Sequence, residues 1–280
     1  SDPAFFKQHP PVEVAAEPQL LQATPVTSTG KHIEGIVRMY ERIALQVVTT
    51  VRSGHYPLLI SGDHSNAGGT LAGLRLAYPD KRIGAIWIDA HADLHSVYTS
   101  PSGNVHGMPL ATAIFEDNLE CQVNTPEPAA VEAWNALKGD RPRIRPEDVV
   151  FIALRDTEAP EGYLVEKYNM GVHLTADVRS QGAQAIAEAC MARLADCDLI
   201  YISFDVDSMD PMVSVGTGTP VPEGLTAEEA EALLTYFAAQ PKVGCMEFTE
   251  INPLLDKDAN AMGRTAFALL QKTVVVLEKR

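Results

Sequence analysis

The chain has 280 residues, 46% hydrophobic and 21% charged, and a formal net charge of −15. That acidity argues against nucleic acid and anionic membrane surfaces as partners, and it suits a small cation or bound metal ions. No run of about 18 apolar residues occurs, so no membrane span is expected. The polar, proline-bearing start from Ser1 to Pro11 lacks a basic-then-apolar secretion signal.

In chain order, Glu34 to Ser53 carries a helical stripe of Ile36, Val37, Tyr40, Ile43, Val47 and Val51. Pro57 to Ile60 reads as a short buried strand. Ala67 to Ala77 reads as a helix closed by Pro79. Ile83 to Ile88 and Val149 to Leu154 are two further buried strands. Between them, Glu116 to Asp148 is acidic and Pro-bearing, with a helical piece around Val131 to Leu137, and reads as an insertion inside one domain spanning 1–280. Glu161 to Tyr168 is a short helix and Gly171 to Leu174 an edge strand. Ala183 to Ala195 is a helix, Leu199 to Phe204 a strand, and Thr226 to Ala239 a helix. Val243 to Phe248 is the last strand and Asn260 to Leu277 the terminal helix. Alternation of uniformly apolar strands with helices predicts an α/β fold, a mainly parallel sheet covered by helices on both faces. Cys121, Cys190, Cys197 and Cys245 show no C-x-x-C spacing, which fits a reducing cytoplasm.

In parallel sheets, sites form beyond the carboxyl ends of strands. Three polar clusters stand there: Ser61-Gly62-Asp63-His64-Ser65, Asp89-Ala90-His91-Ala92-Asp93 and Asp205-Val206-Asp207. If the extended backbone continues past each strand, period-two alternation points Asp89, His91 and Asp93 one way, and Asp205 and Asp207 likewise. Taken singly, each motif reads as readily as a loop or a helix cap. Together they bring four carboxylates and the imidazoles of His64 and His91 to one sheet edge. Four close carboxylates carry −4 and repel unless cations compensate them, and two divalent ions carry +4. Mostly oxygen ligands with some imidazole favour Mn²⁺ over Zn²⁺.

The segments SGDHSNAGG, IWIDAHADLHSVYTSPSGNVHGMPLA, ALRDTEAPEG, ISFDVDSMDP with GTGTPVPEGLT, and MEFTEINP, in this order, resemble the ureohydrolase superfamily and, within it, the arginases. The resemblance implies the three-layer α/β/α arginase-type fold and two Mn²⁺ per chain, other divalent metals being possible. It implies one ion on His64, Asp89, Asp93 and Asp205, and the other on His91, Asp89, Asp205 and Asp207. It makes Glu250 the carboxylate that holds the guanidinium, with Glu247 ranked below it, and His106 the proton shuttle. It sets Ser102 and Asn104 on the substrate α-carboxylate and Thr219 in the site wall. The implied reaction is hydrolysis of a small cationic guanidino substrate, L-arginine to L-ornithine and urea, by a homo-oligomer, a trimer or hexamer.

Three features depart from the arginase pattern. His95 stands where an asparagine contacts the α-carboxylate; we expect its imidazole to donate there, directly or through water. Glu158 stands where an aspartate sits near the α-amino group. The family's opening strand and glycine-rich segment are missing from the start. The rival readings are another ureohydrolase (an agmatinase, a guanidino-acid hydrolase or a formimidoylglutamase-like enzyme), a single-metal deacetylase of related fold, and a non-catalytic relative acting in assembly or regulation. The complete set of six ligand positions weighs against the last two.

Overall fold

The computed structural model describes residues 3–256 and 260–280. Six strands form one sheet: β1 (Leu58–Ile60), β2 (Ile83–Ile88), β3 (Val149–Ile152), β4 (Gly171–His173), β5 (Leu199–Asp205) and β6 (Val243–Thr249). Their order is β1-β6-β5-β2-β3-β4, and every pairing is parallel. The helices are α1 (Pro3–Gln8), α2 (Ile33–Arg52), α3 (Asn66–Ala77), α4 (Pro109–Ile114), α5 (Pro128–Lys138), α6 (Ala159–Lys167), α7 (Thr175–Gln181), α8 (Ala183–Arg193), α9 (Ala227–Ala238) and α10 (Ala261–Leu277).

Period-two alternation divides the strands between two cores. Ile86, Ile88, Val150, Ile200, Ile202 and Phe204 pack under α7 to α10. Ala85, Trp87, Phe151, Tyr201 and Cys245 pack under α2, α3 and α4. This makes the three-layer α/β/α arrangement expected from the uniformly apolar strands. Helix α3 lies so close on α2 that a Cβ at Gly73 would meet that of Val47 at 2.7 Å. No helix among the described residues is long and apolar enough to cross a membrane.

Most boundaries fall within two residues of the sequence reading. Helix α6 starts earlier, at Ala159, because Glu161 reaches back to accept the Glu158 N–H at 3.0 Å, closing the first turn around Pro160. Helix α4 escapes the periodicity argument because it is apolar and buried on all sides. The acidic stretch from Glu116 to Asp148 supplies a third core: Ala130, Trp134 and Leu137 of α5 are buried in the part of the molecule where Ile33, Val97, Val105 and Met108 pack. Asn124 Nδ2 donates to the carbonyls of Ser100 (2.7 Å) and Val97 (3.3 Å). This stretch therefore buttresses the loop that holds His95 to His106.

Candidate metal centre

The strand order reverses between β2 and β5. From β2 the chain moves outward to β3, and from β5 outward the other way to β6. The diverging crossovers leave a crevice at the carboxyl ends of this central pair, where α/β sheets bind their ligands. Asp89 follows β2 and Asp205 ends β5, so both stand at its floor.

The expected extension of strand geometry does not occur. Asp89 Oδ1 accepts the His91 N–H at 2.7 Å, and Asp205 Oδ1 accepts the Asp207 N–H at 2.8 Å. Each carboxylate caps a tight turn, and Val206–Ser208 is a 3₁₀ turn. Alternation ends because the backbone leaves the ladder. Asp93 takes a left-handed φ of 53°, sparsely allowed for a side-chain-bearing residue.

The result is two clusters. His64 Nδ1 lies 3.1 Å from Asp89 Oδ2, 2.9 Å from Asp93 Oδ2 and 3.1 Å from Asp205 Oδ2. His91 Nδ1 lies 3.4 Å from Asp89 Oδ1 and 3.0 Å from Asp207 Oδ2. Asp89 thus faces both rings. His64, Asp89, Asp205 and Asp207 are almost fully buried. One ring N–H cannot satisfy three carboxylates, and Asp89 Oδ2 and Asp93 Oδ2 make no hydrogen bond. Orphaned buried oxygens converging with imidazole nitrogens are what a divalent cation requires. The residues fit a binuclear metal centre, with His64, Asp89, Asp205 and Asp89, His91, Asp207 as its two close groups.

The electrostatics agree. Burial, then the charges of Asp207 and Asp89, push the Asp205 carboxyl well above the carboxylate range. Burial and the charge of Asp89 also push Asp207 up. Burial opposes a charge on His64, yet the surrounding Asp93, Asp205 and Asp89 push it well above the ordinary imidazole value. So many crowded acids are costly until a cation stands among them.

Above this floor opens a cleft of about 230 Å³. It is lined by every remaining residue singled out from the sequence except Glu247: His95, Ser102, Asn104, His106, Glu158, Thr219 and Glu250. Thr219 Oγ1 donates to Asp207 Oδ2 at 3.1 Å. Glu250, with a left-handed φ of 62°, donates its N–H to the Gly62 carbonyl at 2.9 Å, and its Oε1 accepts the His64 N–H at 2.7 Å. Burial, then the charge of Asp63, push its carboxyl up to about 8. Titratable atoms of Asp63, His106 and Glu250 lie within 4.8 Å of one another. Glu247 is buried on β6, accepting from Tyr201 Oη at 2.8 Å and from Ser61 Oγ, and it does not line the cleft. His95 lines the wall with its Nε2 3.3 Å from Glu158 Oε2: the two departures from the arginase pattern touch each other.

Ser102 Oγ accepts the Asn104 N–H at 3.1 Å, across Gly103 at φ +71°. A Cβ on Gly103 would sit 1.9 Å from the Ser28 carbonyl oxygen. Gly103→Ala should therefore displace Ser102 and Asn104 together and raise KM for a substrate bearing a carboxylate by about 10-fold or more, the loss of one or two hydrogen bonds. Steady-state kinetics with and without that carboxylate check this. Asp207→Ala removes an oxygen from the His91 cluster alone and should leave near one ion per chain by elemental analysis; two ions retained would overturn the assignment.

Some contributors escaped the sequence reading. Ser203 Oγ lies 2.7 Å from His64 Nε2, and Trp87 stacks on the His64 ring at 4.5 Å with 11° between planes. Asp156 Oδ2 stands 3.7 Å from His91 Nε2. Ser203 and Trp87 could have been found, since each lies two residues before a site aspartate, on the same strand face. Partners on the outer nitrogen of a metal-facing imidazole orient it.

A parallel sheet carrying paired carboxylate–imidazole clusters at its switch point, under a polar cleft, defines a binuclear-metal hydrolase. A sequence model of the Arginase family matches residues 14–275. The chain is 34% identical over 241 residues to the arginase of Bacillus subtilis (strain 168), covering 86% of this chain and 76% of that one. The structure of Bacillus caldovelox arginase superposes with a TM-score of 0.79 at 32% identity, covering 95% of this chain and 82% of that one. Entamoeba histolytica arginase in complex with L-ornithine does so with 0.78 at 26% identity, over 94% and 83%. The chain belongs to the arginase family, and its site is that of an arginase-type hydrolase acting on a guanidino group.

Proposed function

We propose that the protein hydrolyses L-arginine to L-ornithine and urea with two Mn²⁺ per chain. One ion is assigned to His64, Asp89, Asp93 and Asp205, the other to His91, Asp89, Asp205 and Asp207. The observation that carries this reading is His64 Nδ1 at 2.9–3.1 Å from three carboxylate oxygens, with Asp89 turned to both rings. The L-ornithine complex of the Entamoeba enzyme supports an amino-acid product.

Bound there, the ion pair supplies acidified water as the nucleophile at neutral pH. The chain's own residues do the rest. Glu250 Oε1 is fixed by the His64 N–H, which leaves Oε2 for the guanidinium. An imidazole nitrogen of His106 carries a proton to the departing amine nitrogen. The Ser102 hydroxyl and Asn104 amide hold the α-carboxylate, and Thr219 keeps Asp207 oriented. The wall closes over this chemistry at Glu158, toward the α-ammonium end. Free cysteines, three of them buried, support a reducing cytoplasm, and the resemblance supports a homo-oligomer, a trimer or hexamer, which sedimentation velocity would test.

The deciding experiment is urea release after Mn²⁺ loading, from L-arginine, agmatine and guanidino acids in parallel. L-Arginine should be preferred over agmatine, which offers Ser102 and Asn104 no carboxylate. Preference for agmatine would transfer the assignment to another ureohydrolase activity.

A further inference from the structure

The cleft wall contains a short hydrogen-bond relay. The Thr99 hydroxyl oxygen accepts the Ser96 N–H at 3.0 Å and stands 3.1 Å from His95 Nδ1. Among the described residues that hydroxyl has no other hydrogen-bonded acceptor than Nδ1, an arrangement that favours the Nε2–H tautomer of the imidazole. Nε2 then faces Glu158 Oε2 at 3.3 Å and Glu161 Oε2 at 3.7 Å.

These two carboxylates differ in availability. Glu161 is buried, and its oxygens are taken by the N–H groups of Leu94 (3.1 Å) and Glu158 (3.0 Å). The Glu158 side chain is 52% exposed, while that of His95 is only 9% exposed. A buried imidazole nitrogen thus faces one oxygen of an exposed carboxylate that lines the cleft. The Nε2 expected to read a substrate carboxylate stands against Glu158 in this structure.

We infer that His95 is a positioning residue that holds the Glu158 carboxylate at the cleft wall to receive the α-ammonium group of the substrate. The inference rests on the reading above that the cleft takes a guanidino amino acid. A glutamate one methylene longer than aspartate has an extra torsion to freeze, and the close approach of His95 Nε2, at 3.3 Å, restricts it before the ligand arrives. His95 and Glu158 then act as one unit, so their substitutions are non-additive.

The test uses the full-length Mn²⁺-loaded protein as wild type, His95→Asn, Glu158→Gln and the double variant, with metal content measured for each. Calorimetry measures the binding of L-ornithine and of 5-aminopentanoate, which lacks the α-ammonium group. Turnover is measured on L-arginine and on 5-guanidinopentanoate. His95→Asn should weaken L-ornithine and raise KM for L-arginine about tenfold, the scale of one polar contact that positions a charged group, with kcat within about twofold. The compounds without the ammonium should be nearly unaffected. In the Glu158→Gln background the His95 change should add nothing. His95→Gln, whose amide can approach the place of Nε2, should recover part of the loss even if His95→Asn disturbs the loop. An equal loss for both compounds of a pair would overturn the inference and make His95 a direct carboxylate ligand. A full His95 effect persisting beside Glu158→Gln, or no binding of L-ornithine by the wild type, would overturn it too. Absence of urea from every protein, with the ornithine pattern intact, would sink the hydrolytic reading and leave this one standing.

Discussion

Asp89→Ala should yield a folded protein with close to no bound ion and no measurable urea release. Asp89 Oδ2 lies 3.1 Å from the His64 ring nitrogen and Oδ1 lies 3.4 Å from that of His91. Oδ1 also accepts the His91 N–H, so the carboxylate both joins the clusters and shapes the turn that presents the second imidazole. Its loss removes an oxygen from each group at once, whereas Asp207→Ala removes one from a single group. Loss of the stabilisation the ions give the reaction, several kcal/mol, should cost at least about 10³ in turnover. Elemental analysis beside a urea assay separates the outcomes. Two ions retained in Asp89→Ala would show that Asp89 does not join the centre.

His106→Ala should lower kcat by about 10²–10⁴, the usual scale for a positioned acid–base group, with both ions retained. His106 lies on the 3₁₀ turn Val105–Gly107, in the cluster with Asp63 and Glu250 and outside both imidazole–aspartate groups. Metal content should therefore be indifferent to it. A variant with ordinary turnover across neutral pH would return His106 to the role of a wall residue.

The sequence disclosed the sheet well, and the reason lies in its strands. Ile83–Ile88 is an unbroken apolar run and Leu199–Asp205 is interrupted only by Ser203 and its closing aspartate; both are buried at every position, and such runs have few alternative structures. The closeness of the six candidate ligand positions was foreseeable because they stand at or beyond strand ends, and parallel topology sends all strand ends to one edge. How they converge was not legible. Alternation along an extended chain predicts this convergence for the wrong reason, since Asp89 and Asp205 fold the backbone into turns by accepting its N–H groups. The cleft wall was the least legible. The loop from His95 to His106 is held by distant contacts: the Lys31 N–H donates to the Gly103 carbonyl at 2.7 Å, and Ser28 and Thr29 bond Glu127. No local pattern announces such partners. The pairing of His95 with Glu158 is of the same kind: each could be read as a departure, but only the fold shows them in contact.

The central claim is that two cations on these six residues make the chain a urea-releasing hydrolase. Protein stripped by prolonged chelation, then refilled stepwise with Mn²⁺ while urea release from L-arginine is followed, tests it most directly. Release should be absent from the stripped protein and reach its plateau as elemental analysis reaches two ions per chain. Full release from protein holding no metal, or a chain carrying two ions that frees no urea from L-arginine, would contradict it.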